Sequence, residues 1–214
     1  MRTTAEEATP VRDVDDLAER LAADLDGCFE TLVRAYQDRL YAFALRLSGS
    51  APDAEEIAQD AFVRAYRALG SYPADRVRAL ALRPWLYRIT LNVARNRGQG
   101  RRLRLVSLTG DDDRPGVAEP VAAARDRPES VFERTERGNE LAALVAALPT
   151  RHRTAVVLRH VEGMSYREAA AVLDQPIGTV KANAHRGIRS LRAALTRTHD
   201  HDHDHSVAHT SESR

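Results

Sequence analysis

The chain has little with which to build covalent cross-links or enzyme chemistry. It carries a single cysteine, Cys28, among 214 residues. That excludes an intramolecular disulfide and a cysteine-based metal site. In LDGCFETLV the thiol is placed to pack at the start of a helix, a redox role being the alternative. No stretch reaches the roughly 18 apolar residues that a membrane-spanning helix needs. The opening MRTTAEEATPVRDVDD lacks the basic-then-apolar order of a signal peptide, so a cytoplasmic protein without membrane insertion is expected. Enzyme signatures are missing as well: there is no glycine-rich phosphate loop, no nucleophile elbow and no His/Glu metal pair on a helix face. We therefore expect no enzyme, no catalytic residue and no cofactor, ATP included. Strand-like alternation is sustained nowhere, whereas a 3.6-residue apolar period recurs, and the expected fold class is all-α.

What is present is charge, unevenly placed. The formal net charge is +1, yet residues 1–26 carry −5, 27–104 carry +7, 105–138 carry −3, 139–198 carry +5 and 199–214 carry −3. Two basic blocks between acidic spacers are the footprint of phosphate-binding modules, or else two solvated helical surfaces. Residues 1–26 form an acidic N-terminal extension. The block 27–104 opens with a helical stripe of Phe29, Leu32, Val33, Tyr36, Leu40, Phe43 and Leu47 that stops at SGS. A second helix has Pro52, Asp53, Glu55 and Glu56 in its first turn, Arg64 and Arg67 near its end, and Gly70 as its stop. After the loop SYPADRVRALAL, Pro84 opens a third helix with inner face Trp85, Leu86, Ile89 and Val93, ending near Gly98.

Residues 105–138 combine glycine, three prolines and an acidic run without apolar periodicity, and are expected to be a flexible linker. In the block 139–198, Leu141, Leu144, Val145 and Leu148 make a short helix closed by Pro149, and RHRTAVVLRHVEG a second stopped by Gly163. Ser165-x-x-Glu168 is a capping box that opens SYREAAAVL with Ala169, Val172 and Leu173 inward. A turn containing DQPIG then leads to a further helix, which is the spacing of a helix-turn-helix. At 100° per residue, Ile177, Val180, Ala184, Ile188 and Leu191 share the inner side. The opposite side carries Thr179, Ala182, Arg186 and Arg189, flanked by Lys181, His185 and Arg192 and free of acids. An ordinary surface helix mixes signs to gain pairs worth about 0.2–0.5 kcal/mol each. Arginines among small residues instead suit phosphate and base edges approached closely.

Three segments, DAEEIAQDAFVRAYRAL, RPWLYRITLNVARNR and MSYREAAAVLDQPIGTVK, together resemble the extracytoplasmic-function (group 4) sigma factors of bacterial RNA polymerase, in order and spacing from about residue 28 to 196. The resemblance implies two small helical domains, sigma region 2 over 27–104 and sigma region 4 over 139–198. It implies core RNA polymerase as partner, through the largest-subunit clamp helices and the beta flap, with promoter DNA and an anti-sigma factor as further partners. On the second helix, Asp53, Glu56, Gln59, Asp60, Val63 and Arg67 are the implied polymerase face. There an exposed valine with a polar rim suits an interface, a solvated face with one stray valine being the alternative. For the minus-10 element the implied residues are Tyr72, Tyr87, Arg88, Asn92, Arg95, Asn96, Arg101 and Arg102, with Asn92 and Tyr72 matching positions that trap a flipped base. Aromatic and amide groups between arginines can hold a single strand by stacking and phosphate contacts. Trp85 lies on the Ile89 face and is read as core. The loop before it is several residues longer than is usual in the family.

For the minus-35 element, Lys181 and Arg186 match family positions that contact it, and Thr179, Ala182, Asn183, His185 and Arg189 on the same helix complete the expected set. KANAHRG departs from the family pattern after the lysine, and Asn183 projects sideways, where an adenine edge is a possible target. The DDD run of the linker either mimics nucleic-acid charge or adds solubility. The tail 199–214 is expected to be disordered; His199, His201, His203 and His205 alternate with aspartates, a composition that suits a divalent metal or serves as a plain polar tail. The rival functions are a stand-alone helix-turn-helix regulator and a sigma-like regulator that binds polymerase without initiating.

Overall fold

The structure is a computed structural model that describes residues 16–108 and 140–208, with side chains described over 16–98 and 140–197. The chain divides into two compact units, Met1–Asp112 and Asp113–Arg214. Among the described residues both are helical, without a strand, as expected.

In the first unit, α1 (Leu17–Ala23) leads through Asp24 into α2 (Leu25–Ser48). The Asp24 carboxylate accepts from the Gly27 amide at 2.9 Å and caps α2. A Cβ at residue 27 would stand 2.2 Å from that carboxylate, which would have to shift to make room. Gly49, with φ of 70°, ends α2. Helix α3 (Ala51–Ser71) follows at once, capped by Ser50 with Pro52 in its first turn. Then come α4 (Ala74–Arg78) and α5 (Leu82–Leu108). The core joins Ala44 of α2, Ala54, Ile57 and Ala61 of α3, and Val93 of α5, all buried. Alanines at the crossing let the three backbones approach closely. Beside them the fully buried rings of Phe43 and Tyr87 lie 5.0 Å apart.

In the second unit the described residues open with a helical run over 140–147, α6. Helix α7 (Thr150–Val156) passes into a π-helical turn, Val157–Val161, which ends at Gly163 with φ of 66°. Helices α8 (Tyr166–Leu173) and α9 (Ile177–Ala208) complete it. Leu148, Val156 and Leu191 form its core, with Leu144, Val145 and Ile188 against them.

The structure differs from the sequence reading in several places. Helix α5 continues past Gly98 to Leu108, beyond the boundary expected at 104, and α9 continues to Ala208, into the tail expected to be disordered. An established helix adds residues cheaply, and one glycine costs only about 0.5–1 kcal/mol. Helices α1 and α4 occupy segments read as extension and loop, each too short to show a period. Leu141 and Ile177, read as inward, are 46% and 49% exposed. On α3, Ile57, Ala58, Ala61 and Ala65 form the buried row.

Candidate nucleic-acid interface

The helix-turn-helix is set by local chemistry. Ser165 Oγ accepts from the Glu168 amide at 3.2 Å, and the Ser165 amide donates to Glu168 Oε2 at 2.8 Å, which closes the capping box at the start of α8. Asp174, in the left-handed region at φ of 55°, ends α8. The Pro176 carbonyl then accepts from the Thr179 and Val180 amides at 3.0 and 3.2 Å, starting α9. Thr179, Lys181, His185, Arg186 and Arg189 are exposed along α9, with Ala182 half-buried among them. Asn183 is a correction. It is 6% exposed, on the same side as the fully buried Val180 and Ala184, and does not reach the outer face.

Helix α9 is seated on α7 at Gly187. A Cβ there would lie 2.5 Å from Val156 Cγ2 and 3.3 Å from the His152 carbonyl oxygen. His152 itself is 8% exposed, with Nδ1 buried and unpartnered. Burial, and then the guanidinium groups of Arg151 and Arg186, hold its pKa below the ordinary imidazole value. A neutral imidazole thus lies beneath the cationic face, and the sequence reading missed it.

In the first unit, Arg88, Asn92, Arg95 and Asn96 are exposed on α5 at helical spacing, so they form one stripe. Tyr87 leaves that group. Its ring is fully buried against Phe43, because α5 turns its 86–87 edge into the core. Arg101 and Arg102 lie on the α5 backbone, but their side chains fall outside the described set. Tyr72, between α3 and α4, is half-buried. The Arg76 guanidinium sits 3.8 Å above its ring, and Trp85 is 6.3 Å away between centroids. Trp85, read as core, is half-buried beside this loop. Arg76 escaped the sequence reading; its four-residue spacing from an aromatic was the available signal.

On α3, Glu56, Gln59, Val63 and Arg67 are exposed, while Asp53 and Asp60 are half-buried. Val63, 45% exposed, opens a shallow groove with Phe29, Phe62, Tyr66 and Arg67. The Tyr66 hydroxyl donates to Asp26 Oδ1 at 2.5 Å, and that carboxylate pushes the phenol pKa up. Glu56 pairs with Arg97 of α5, and Asp60 with Arg64 at 3.0 Å. The alternating histidines at 199–205 lie outside the described side chains, and among the described residues no His/Cys/Asp/Glu cluster could hold a metal ion. Among the described residues, too, no helix is long and apolar enough to cross a membrane.

Known proteins share this arrangement. The Sigma-70 region 2 family matches residues 32–103, and the Sigma-70, region 4 family matches 138–191. The chain is 36% identical to the ECF RNA polymerase sigma factor SigE of Mycolicibacterium smegmatis over 79% of its own length and 62% of that relative's. It is 33% identical to the RNA polymerase sigma-H factor of Pseudomonas aeruginosa, over 84% of this chain and 92% of the relative. With the ECF RNA polymerase sigma factor SigW of Bacillus subtilis it shares 31% identity over 78% of this chain and 88% of the relative. The solved structure of CnrH in complex with the cytosolic domain of CnrY superimposes with a TM-score of 0.60 at 25% identity, covering 86% of this chain and 97% of CnrH. Two family modules in order, and relatives matched along most of their own length, place the chain among the extracytoplasmic-function sigma factors of bacterial RNA polymerase.

Proposed function

We infer that the protein is an alternative sigma factor that binds core RNA polymerase, directs it to promoters through minus-35 and minus-10 elements, and promotes strand opening. The observation that carries this reading is the presence of both sigma modules on one chain. Each has an exposed arginine-bearing stripe where DNA contact is expected. The minus-35 contacts are assigned to Thr179, Lys181, Ala182, His185, Arg186 and Arg189, where cationic side chains set in small ones can follow a groove. The minus-10 contacts are assigned to Tyr72, Arg88, Asn92, Arg95 and Asn96, with Arg101 and Arg102 continuing the sequence. The groove around Val63 and Arg67, together with Asp53, Glu56, Gln59 and Asp60 along the same helix, is assigned to polymerase; an apolar centre beside charged groups has the anatomy of an interface. An anti-sigma factor acting in the cytoplasm completes the reading; the CnrH relative was solved with a cytosolic protein domain. Polymerase supplies the bond-forming chemistry, and this chain supplies the choice of site.

The test is transcription in vitro with bacterial core polymerase, the purified chain and a genomic-fragment library, mapping RNA starts. Starts that depend on the chain and share two upstream elements establish the reading. Core binding without starts favours the non-initiating regulator, and no core binding leaves a stand-alone DNA-binding protein.

A further inference from the structure

Helix α1 lies before residue 32, where the region 2 match begins, so neither family match covers it. It is nevertheless well anchored. Leu17 is 1% exposed and Leu21 3%, with Ala18 buried between them. Its packing partners are α2, which follows it in the chain, and α4, which is about 50 residues away. Helix α4 is five residues long, far below the length at which a helix holds in water, and its Val77 is buried at 3%. Glu19 of α1 reaches Arg78 of α4 at 3.6 Å, and Arg78 also holds Asp75 at 2.7 Å. The same short helix carries Arg76, whose guanidinium covers the ring of Tyr72 at 3.8 Å. An apolar and ionic chain of contacts therefore runs from the N-terminal helix to the aromatic side chain of the loop.

We propose that α1 is a strut that positions the Tyr72–Arg76 stack to receive an unpaired DNA base of the opened strand. This rests on the reading of Tyr72 as a strand contact. A guanidinium plane held against a tyrosine ring forms a flat, cationic stacking surface, to which any base can add by its π-face while a neighbouring phosphate meets the charge. Without α1, Val77 loses its cover and α4 its reason to be helical, so Arg76 leaves the ring. Leu17 and Leu21 are thus positioning residues, and Arg76 extends the contact surface itself.

The experiment uses holoenzyme assembled from core polymerase and the full chain, on a promoter mapped as above. Permanganate reactivity of unpaired thymines reports opening, fluorescence anisotropy reports core affinity, and circular dichroism reports folding. Leu17→Ala with Leu21→Ala is expected to lower opening at least about fivefold, the smaller cost of losing one base–aromatic stack, with core affinity unchanged. Leu21→Met retains opening. Arg76→Ala, an exposed change that leaves the core intact, reproduces the loss and keeps the proposal testable should the double variant fail to fold. Full opening by Arg76→Ala while Tyr72→Ala is defective overturns the strut. Equal loss of opening and of core affinity in the leucine variant also overturns it, since α1 would then support the whole unit. Full opening by Tyr72→Ala instead removes the reading of the loop on which the strut rests.

Discussion

At the scale of single residues, two glycines in helices have opposite expectations. Gly98 is exposed in mid-helix with nothing near its absent side chain, so Gly98→Ala should stabilise the first unit by about 0.5–1 kcal/mol. Gly187 faces Val156 and the His152 backbone, so Gly187→Ala overpacks the seat of α9 and should destabilise the second unit by about 1–3 kcal/mol. Urea midpoints of the two variants check both signs. His152 gives a pH dependence. Its folded pKa is depressed, so the unfolded chain binds the extra proton first, and this contribution to stability is complete above about pH 6.5 and lost as pH falls below it. His152→Gln should flatten that part of the denaturation midpoint between neutral and mildly acid pH; an unchanged slope would remove His152 as its source. For DNA, Arg186→Ala should weaken promoter binding and reduce the magnitude of the salt slope by about one, without a shift in the melting curve. Asn183→Ala, in contrast, should act on stability and leave base preference alone, because Asn183 is buried.

At the scale of elements, the capping box was legible because it is chemistry between neighbours in the chain. Ser165 and Glu168 need only three residues to find each other, and both bonds are present. Ser165→Ala should cost about 1 kcal/mol, with Glu168→Ala non-additive on top of it, a coupling that a double-mutant cycle reads directly. The cationic row of α9 was legible for the same reason, since one helical period places it. Tyr87 and Asn183 were not, because both sit at the margin of a face, where 100° per residue leaves the side undecided and only the neighbouring helix settles it. Helices α1 and α4 were illegible as elements. They are shorter than two turns each and are held by packing, α4 against α1 across about 50 residues of sequence and α1 against α2 as well.

At the scale of the whole molecule, the two compact units predict two thermal transitions. Ser165→Ala and Gly187→Ala should move one of them, Gly98→Ala the other; a single transition that shifts as a whole would contradict the division. The charge pattern read from sequence marked these units by their basic blocks, but not the Glu56–Arg97 pair, which ties the helix assigned to polymerase to the helix assigned to DNA. The seat of α9 has a further consequence. With Val156 Cγ2 where the side chain of residue 187 would begin, the two positions cannot vary independently. A branched residue at 156 and a side chain at 187 compete for the same space, so a smaller residue at 156 would free room at 187. Val156→Ala should accordingly rescue Gly187→Ala in part, so that the two helices trade volume across their contact, a coupling that a double-mutant cycle measures.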